Sequence, residues 1–321
     1  MNKVIYITPI FNFYFDEQEK PLTHTFSHKG LSYTVVFEEI PYGEKNDERI
    51  SEMDRPVREQ YQSITKLENS IGNTEARGRV MLSTESTNNI DNTISSVNRA
   101  FLRAISLHST NGLLYDWTLI RTNVNDIDEA NSKQSGINKQ DRWREIEEPS
   151  TLKVSDFKDC IKTFEMLLND NYKTNRIFNN VLKLSLNYHE MLFLNDHTPT
   201  KFLLLMIIFE ALCCKDHNTQ ISDGATILSK LLFSDKDEQA VVVNDFHNFS
   251  DAKDVRSFRV LRNMIAHGDP NIDEKLPNGR YEKLYKYVGK GLIKVLHIPN
   301  EEIGEKDNYY VKLEKITKNV V

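Results

Sequence analysis

The sequence predicts an α+β protein, with a strand-rich N-terminal domain in residues 1–150, an all-α helical bundle in 151–300 and a tail in 301–321. Three observations support this division. Runs of β-branched and aromatic residues dominate the first half of the chain. From Ser155 onward, apolar residues recur at the three- and four-residue spacing of helices. Between the two halves, residues 123–150 are polar and contain Trp143 as their only aromatic residue, which is typical of a linker.

Apolar or alternating runs predict the strands of the N-terminal domain: 4–15, 22–28, 31–40, 78–84 and 112–121. Lys29 and Gly30 separate two of these runs and are suited to a two-residue hairpin turn. Four apolar residues at helical spacing predict one helix packed on this sheet: Ile94, Val97, Phe101 and Ile105. Residues 44–76 are polar and rich in acidic residues, with only scattered apolar anchors.

Helical periodicity predicts the elements of the second domain: 155–168, 175–194, 202–212, 222–233, 254–267 and 281–296. Ser155 is expected to be the N-cap of the first of these helices. The segment 202–212 is apolar on every side except at Glu210, so we expect it to be the central buried helix. For residues 309–321, a short strand and a frayed terminus both stay open.

Composition describes a folded globular protein, because 39% of the 321 residues are hydrophobic and 27% are charged. The net charge of −6 argues against a broad basic surface for nucleic acid, although it allows a few local cations at a site. The three cysteines are Cys160, Cys213 and Cys214, which favours a reduced, cytoplasmic setting. We find no signal-peptide pattern and no apolar run long enough to span a membrane.

The most informative segment places Arg262, Asn263 and His267 on the last two turns of a predicted helix. We call these three residues the motif. An imidazole can shuttle a proton, a guanidinium supplies a fixed positive charge, and an amide one turn before the histidine can orient either group. Gly268 and Pro270 form a strong helix-stop signal directly after the histidine. There, the negative end of the helix dipole favours the protonated imidazole.

Arg262 falls within the apolar arc of its helix, where a guanidinium is costly unless a carboxylate meets it. Glu210 is the charged residue of the otherwise apolar central helix, and it needs a partner too. We therefore predict that Glu210 approaches Arg262, directly or through water. Arg256 and Arg259, on the same predicted helix, are candidates for contacts to phosphate groups.

Spacing alone is weak evidence, because Arg103 and His108 repeat the arginine-to-histidine interval without a polar second residue. We interpret that pair as ordinary surface or helix-end residues. A structural alternative also stays open for the motif itself. Arg262 could serve only as a buried ion-pair partner, and His267 could be only a polar residue at the end of a helix.

Residues from about 195 to 296 resemble the Apea-like branch of the HEPN superfamily. In that branch, a hydrophobic helix ending in Phe-Glu-Ala-Leu precedes a loop and a helix, and an Arg-x4-His helix follows, often closing with His-Gly. The corresponding features here are residues 209–212, 221–233 and 262–268. Residues 151–194 could supply the preceding helices. The first 150 residues share only a loose similarity in layout.

The resemblance implies a metal-independent endoribonuclease without a cofactor, in which a homodimer forms a composite cleft for RNA. His267 would act as base or acid on a ribose 2′-hydroxyl, Arg262 would stabilise the phosphoryl charge, and Asn263 would orient one of these groups. Glu210 would support the site. Such proteins often serve in antiphage defence or as toxins, so the resemblance also implies a phage-derived trigger or an antitoxin as partner. The alternative is a non-catalytic HEPN module that binds RNA, a nucleotide or a protein.

Overall fold

In the computed structural model, two compact units divide the chain, Met1–Leu168 and Asn169–Val321. We call them the N-terminal and the C-terminal unit. The residues that the structure describes are 2–10, 13–15, 21–39, 66–69, 72–75, 78–86, 91–109, 119–123, 132–133, 150–169, 172–192, 197–214, 219–247, 256–269, 279–303 and 309–318.

Strands dominate the described part of the N-terminal unit. They are β1 (Asn2–Ile10), β2 (Phe13–Phe15), β3 (Leu22–His28), β4 (Leu31–Glu39), β5 (Lys66–Asn69), β6 (Gly72–Glu75), β7 (Gly78–Ser86), β8 (Leu119–Asn123), β9 (Ser132–Lys133) and β10 (Ser150–Leu152). An antiparallel sheet has the order β3-β4-β7-β1-β8-β9. β10 pairs in parallel with β2, and β5 pairs with β6.

The hairpin between β3 and β4 turns through the two residues that the sequence indicated. Lys29 has φ 49° and Gly30 has φ 80°, so both occupy the left-handed region that a tight two-residue turn requires. The turn sets the register in which His28 faces Leu31. The prediction of a two-residue hairpin turn is confirmed.

One face of the sheet is covered by helix α1 (Asp91–His108), as the apolar spacing predicted. The four residues named for this face are all buried: Ile94, Val97, Phe101 and Ile105. Helix α2 (Phe157–Leu167) packs beside α1, and its Phe164 ring lies 5.2 Å from Phe101 and 4.9 Å from Phe26, centroid to centroid. The core of this unit is therefore an aromatic layer between sheet and helices.

Two expectations for the region after the linker differ from the structure. The units divide after Leu168 rather than at residue 150, because α2 packs on α1 through Phe164. Ser155 is not the N-cap of α2. It lies inside a 3-10 turn, Val154–Asp156, and its hydroxyl donates to the Asp156 carboxylate at 3.0 Å.

The described part of the C-terminal unit is entirely helical. Its helices are α3 (Arg176–Met191), α4 (Thr198–Cys213), α5 (Ile221–Leu232), α6 (Lys236–His247), α7 (Phe258–Ala266), α8 (Arg280–His297), α9 (Asn300–Ile303) and α10 (Tyr309–Lys318). Helix α4 contacts α3, α5, α7 and α8, so the expected central helix is confirmed. With a strand-rich first unit and a helical second one, the α+β class is also confirmed.

Several boundaries and one helix differ from the sequence prediction. Helix α7 begins at Phe258, whereas its periodic pattern started at residue 254, and 248–255 lie outside the described residues. Helix α6 was not predicted. The segment left open between a strand and a frayed end forms helix α10 over its described part.

Helices α4 and α5 approach each other closely at Gly224. A Cβ atom at this position would lie 2.7 Å from Sγ of Cys214, 3.0 Å from the Phe209 ring and 3.4 Å from the carbonyl oxygen of Cys213. Only glycine allows α5 to pack this tightly on the end of α4. The contact fixes the half of α4 that carries Glu210.

All three thiols are free and buried. Burial raises the pKa of Cys160 and Cys213 far above the ordinary value, and it raises the pKa of Cys214 to about 12, helped by the negative charges of Glu210 and Asp223. These cysteines therefore behave as small core residues in the folded protein.

Candidate active site

The helix that carries the motif is anchored at its first residue. The Ser257 hydroxyl caps α7 by accepting from the Val260 amide at 3.4 Å. The fully buried Phe258 ring packs 4.9 Å from Phe246 and 5.9 Å from Phe202, measured between centroids. These contacts hold the start of α7 against α6 and α4, and so determine where its other end emerges.

A buried polar cluster reinforces this anchor. Asp245, at the end of α6, accepts from Arg280 at 2.8 Å and from the Tyr287 hydroxyl at 2.9 Å, and it pairs with Lys283 at 2.7 Å. The Arg280 guanidinium also lies 5.6 Å from the centre of the Phe258 ring. Both charges of the Asp245–Arg280 pair are nearly removed from solvent, so the carboxylate and the guanidinium depend on each other.

The other end of α7 is closed by a glycine cap. Gly268 has φ +68°, its amide donates to Ile265 and the Asp269 amide donates to Met264, each at 3.0 Å. This is the hydrogen-bond pattern of a Schellman motif, with His267 as the C-cap residue. The helix therefore stops immediately after placing His267 at its end, as Gly268 predicted.

Glu210 and Arg262 are brought together, as the sequence predicted. Nε of Arg262 lies 3.4 Å from Oε1 of Glu210, and Nη1 of Arg262 donates to Oδ1 of Asn263 at 3.3 Å. One expectation was wrong: the Arg262 side chain is 39% exposed rather than buried in the apolar arc, and that of Glu210 is 32% exposed. The pair consequently lies at the surface, where the guanidinium is both oriented and accessible.

His267 is exposed at the end of α7, and its amide donates to the backbone oxygen of Asn263 at 3.0 Å. Among the residues that the structure describes, none hydrogen-bonds the imidazole ring. Asn263 thus contacts the Arg262 guanidinium through its side chain, and its backbone oxygen accepts the last hydrogen bond of the helix from the His267 amide. The arrangement presents an exposed imidazole and an oriented, partly exposed guanidinium on the last two turns of α7.

The two arginines proposed for phosphate contact have different positions. Arg256 precedes the cap of α7 rather than lying on the helix, which corrects the sequence interpretation, and its Nη1 donates to the thioether of Met264 at 3.2 Å. This contact holds the guanidinium against the side of α7 that carries Met264. Arg259 lies on α7 and is half-buried. Arg259 therefore lies on the helix that carries the motif, and Arg256 lies in the segment directly before it.

The second Arg-x4-His pair has the structural setting expected for it. His108 is the last residue of α1, and its Nε2 is 2.9 Å from the Thr163 hydroxyl of α2. Arg103 is half-buried on the same helix. Ala104 follows Arg103, so no amide stands beside this arginine as Asn263 stands beside Arg262, and the pair serves as an internal comparison for the motif.

Sequence reasoning missed the Asp245 cluster. Asp245 lies 35 to 42 positions before its partners along the chain, and helix α6 itself was not predicted. Lys283 of α8 belongs to the cluster as well, since its ammonium group pairs with Asp245 although the side chain is 41% exposed. The signal that could have found the cluster was the acidic Asp245 between apolar Val242 and Phe246, a position that demands a partner.

Over the described ranges, no helix is long and apolar enough to cross a membrane, and no group of three or more His, Cys, Asp or Glu side chains is placed to hold a metal ion. Comparison of the chain with protein-family models, with curated proteins and with solved structures found no match.

Proposed function

We propose that this protein is a metal-independent endoribonuclease of the HEPN type. The observation that carries the proposal is the joint exposure of Arg262, Asn263 and His267 at the capped end of α7, with Glu210 3.4 Å from the guanidinium. We further propose that the enzyme acts in bacterial antiphage defence or as a toxin. A phage-derived trigger or an antitoxin would then control it.

In the proposed reaction, His267 accepts the proton of a ribose 2′-hydroxyl as the oxygen attacks the adjacent phosphorus. The bond to the 5′-oxygen of the next nucleotide breaks, and that oxygen takes up a proton. The products are a 2′,3′-cyclic phosphate and a 5′-hydroxyl. Arg262 stabilises the charge that builds on the phosphoryl oxygens, and Asn263 orients the guanidinium.

The proposal includes a homodimer in which two motif helices share one cleft for RNA. Apolar surface next to the motif supports this idea. Ile207, one turn before Glu210 on α4, is 42% exposed, and Met264 and Ile265 of α7 are partly exposed. A second protomer that covers these side chains would bring its own Arg262 and His267 to the same cleft.

The phosphate backbone of RNA would need further cations, since the chain as a whole is acidic. Arg256 and Arg259 are the proposed contacts, because they lie beside or on α7. With so few cations, we expect weak and salt-sensitive binding of RNA by the isolated protein.

One observation favours a second candidate, a non-catalytic HEPN module that binds RNA, a nucleotide or a protein. Glu210 places a negative charge beside Arg262, which offsets part of the attraction between the guanidinium and a phosphate. If pairing with Glu210 is the main role of Arg262, the guanidinium contributes to stability or to binding. It then does not stabilise the charge that develops during cleavage.

The test is cleavage of a mixed cellular RNA by the purified protein in the presence of EDTA. We expect the wild type to generate 5′-hydroxyl ends, and His267→Ala and Arg262→Ala to lose about a hundredfold or more of the activity. Arg103→Ala and His197→Ala are matched controls, because they remove an arginine and a histidine outside the motif. Growth arrest on expression should follow the same order of variants.

The two candidates give opposite results in this assay. If the wild type leaves RNA intact under all conditions, yet Arg262→Ala weakens binding of RNA or nucleotide, the non-catalytic module is the correct function. If the motif variants and the controls cleave equally, the activity lies elsewhere and the motif has no catalytic role.

A further inference from the structure

Helix α3 carries an exposed apolar stripe along its whole length. Ile177, Leu184 and Met191 follow one another at intervals of seven residues and are 56%, 45% and 41% exposed. They account for half of the large exposed apolar side chains in the described ranges. Val181 and Tyr188, partly exposed, widen the stripe on one side. Such a seven-residue repeat is the pattern that packs one helix against another.

The opposite flank of the stripe is polar and lacks carboxylates. Asn180 and Asn187 are exposed there, one turn from each apolar anchor, and Arg176 is exposed at the first residue of the helix. Turning 100° per residue places both asparagines about 40–60° to one side of Leu184, and Val181 and Tyr188 about 40–60° to the other side. The face is therefore two-sided, with amides along one edge and apolar groups along the other.

The same face is nearly symmetric under reversal of the helix direction. Counted from Leu184, Ile177 and Met191 lie seven residues away in either direction, and Asn180 and Asn187 lie four and three residues away. In an antiparallel pair related by a two-fold axis, the amide edge of one helix meets the amide edge of the other. A parallel pair would instead set the amide edge of each helix against the apolar edge of the other, where the second copy offers no amide to bond.

We propose that this face binds a second copy of the chain through antiparallel contact of two α3 helices, centred on Leu184. Asn180 then lies opposite the second copy's Asn187, and amides can both donate and accept. Charge complementarity supports the same direction. The positive N-terminal end of α3, with Arg176, lies next to the negative C-terminal end of the other α3.

This interface is separate from the proposed contact around the motif and does not depend on it. Helices α3 and α7 both pack on α4, but they expose different residues. The exposed residues of α3 are Ile177, Leu184 and Met191, whereas those at the end of α7 are Asn263 and His267. One helix pair buries less area than a standard specific interface, so we expect association at micromolar concentrations. If both contacts form, protomers assemble beyond a dimer, and loss of the α3 contact halves the assembly.

The first test is the mass of the full-length protein over a wide concentration range by sedimentation velocity. Leu184→Glu places two carboxylates together at the two-fold axis, so we expect the dissociation constant to rise about tenfold or more and the mass at high concentration to halve. Val241→Glu is the matched control, since Val241 is 50% exposed on α6. Leu184→Lys should dissociate alone and recover assembly when mixed with Leu184→Glu, which shows that both variants fold.

The second test fixes the direction of the helices by disulfide cross-linking. The native thiols are buried, so introduced cysteines react selectively. Mixing Asn180→Cys with Asn187→Cys should give a mixed disulfide faster than either variant links to itself, because only the mixed pair is within disulfide reach. A wild type that stays unassociated at high concentration, equal masses for Leu184→Glu and Val241→Glu, or faster self-linking would each overturn the proposal.

Discussion

Glu210 and Arg262 form an ion pair at the surface, with 3.4 Å between Oε1 and Nε and both side chains about one-third exposed. Two residues that lie 52 positions apart are thus joined by the packing of α7 on α4. A pair of this exposure contributes less than about 1 kcal/mol to folding, since water and salt screen it. Its effect is therefore expected on the direction of the guanidinium rather than on stability.

The first prediction follows from that difference. Glu210→Gln should change the free energy of unfolding by less than about 1 kcal/mol, while RNA cleavage falls by about tenfold or more because Arg262 loses its orientation. RNA binding should not weaken, since a negative charge is removed from the site. Urea unfolding, cleavage rates and filter binding measure the three effects. An unchanged cleavage rate together with tighter RNA binding would show that Glu210 does not orient the guanidinium for catalysis and only weakens its attraction to phosphate.

The second prediction concerns the polar cluster that anchors α7. Asp245→Asn should lower the free energy of unfolding by about 3 kcal/mol, because Arg280 stays buried after losing its charged partner. Lys283→Met is the control: its side chain is 41% exposed, so its loss should cost less than about 1 kcal/mol. Equal effects of the two substitutions would show that burial of the Arg280 pair does not stabilise the fold.

The third prediction tests the close packing of α5 on α4. Alanine normally stabilises a helix relative to glycine by about 1 kcal/mol. Gly224→Ala should instead destabilise the protein by about 1–3 kcal/mol, since its methyl group meets Cys214 at 2.7 Å. The double variant Gly224→Ala with Cys214→Ala should recover part of the loss. Thermal unfolding of the wild type, the two single variants and the double variant measures these differences in stability. A Gly224→Ala variant more stable than the wild type would contradict the close packing of α5 on α4.

The fourth prediction is a pH dependence of stability that arises from Lys173. This side chain is buried, its Nζ donates to the carbonyl of Ile298, and it lies 5.8 Å from the centre of the Phe178 ring. Burial lowers the pKa of Lys173 from 10.5 to about 8, although the charge of Glu301 acts in the opposite direction. The folded protein therefore releases this proton at a lower pH than the unfolded chain.

Between pH 8 and 10.5, the unfolded chain holds a proton at Lys173 that the folded protein has lost, so stability rises with pH across this window. Relative to Lys173→Met, the wild type should gain up to about 3 kcal/mol between the two limits. Urea unfolding of both proteins at a series of pH values measures the gain. The comparison cancels the tyrosines and other lysines, and a constant difference would show that Lys173 titrates normally.

The sequence predicted correctly those turns, helix ends and helices whose structure depends on residues close together in the chain. The Lys29–Gly30 turn requires positive φ at both positions, and the structure has 49° and 80° there. The stop after His267 was likewise a local signal, given by Gly268 and Pro270, and Gly268 has the positive φ of 68° that such a cap needs. The central helix α4 was evident because a segment that is apolar on nearly every side needs neighbours on several sides. Helices α3, α5, α7 and α8 contact it, although Ile207 stays exposed.

What the sequence could not show depends on contacts between distant segments. Helix α6 contains three consecutive valines at 241–243, of which Val241 is exposed and Val242 is buried. Its apolar residues therefore do not mark a single face, and the helical periodicity of the sequence is weak there. The start of α7 depends on Ser257, whose capping role is hidden by apolar spacing that continues before it. Arg262 shows the same limit: its angular position predicted burial, yet a long side chain reaches from an apolar arc to the surface.

The buried thiols give each compact unit an internal reporter of opening. Cys160 lies in the core of the N-terminal unit, and Cys213 and Cys214 lie in the core of the C-terminal unit. An alkylating reagent should modify them only when the surrounding unit opens, and mass spectrometry can count the additions to each. The rates at which the two halves of the chain unfold under native conditions are thereby separable without introducing a label.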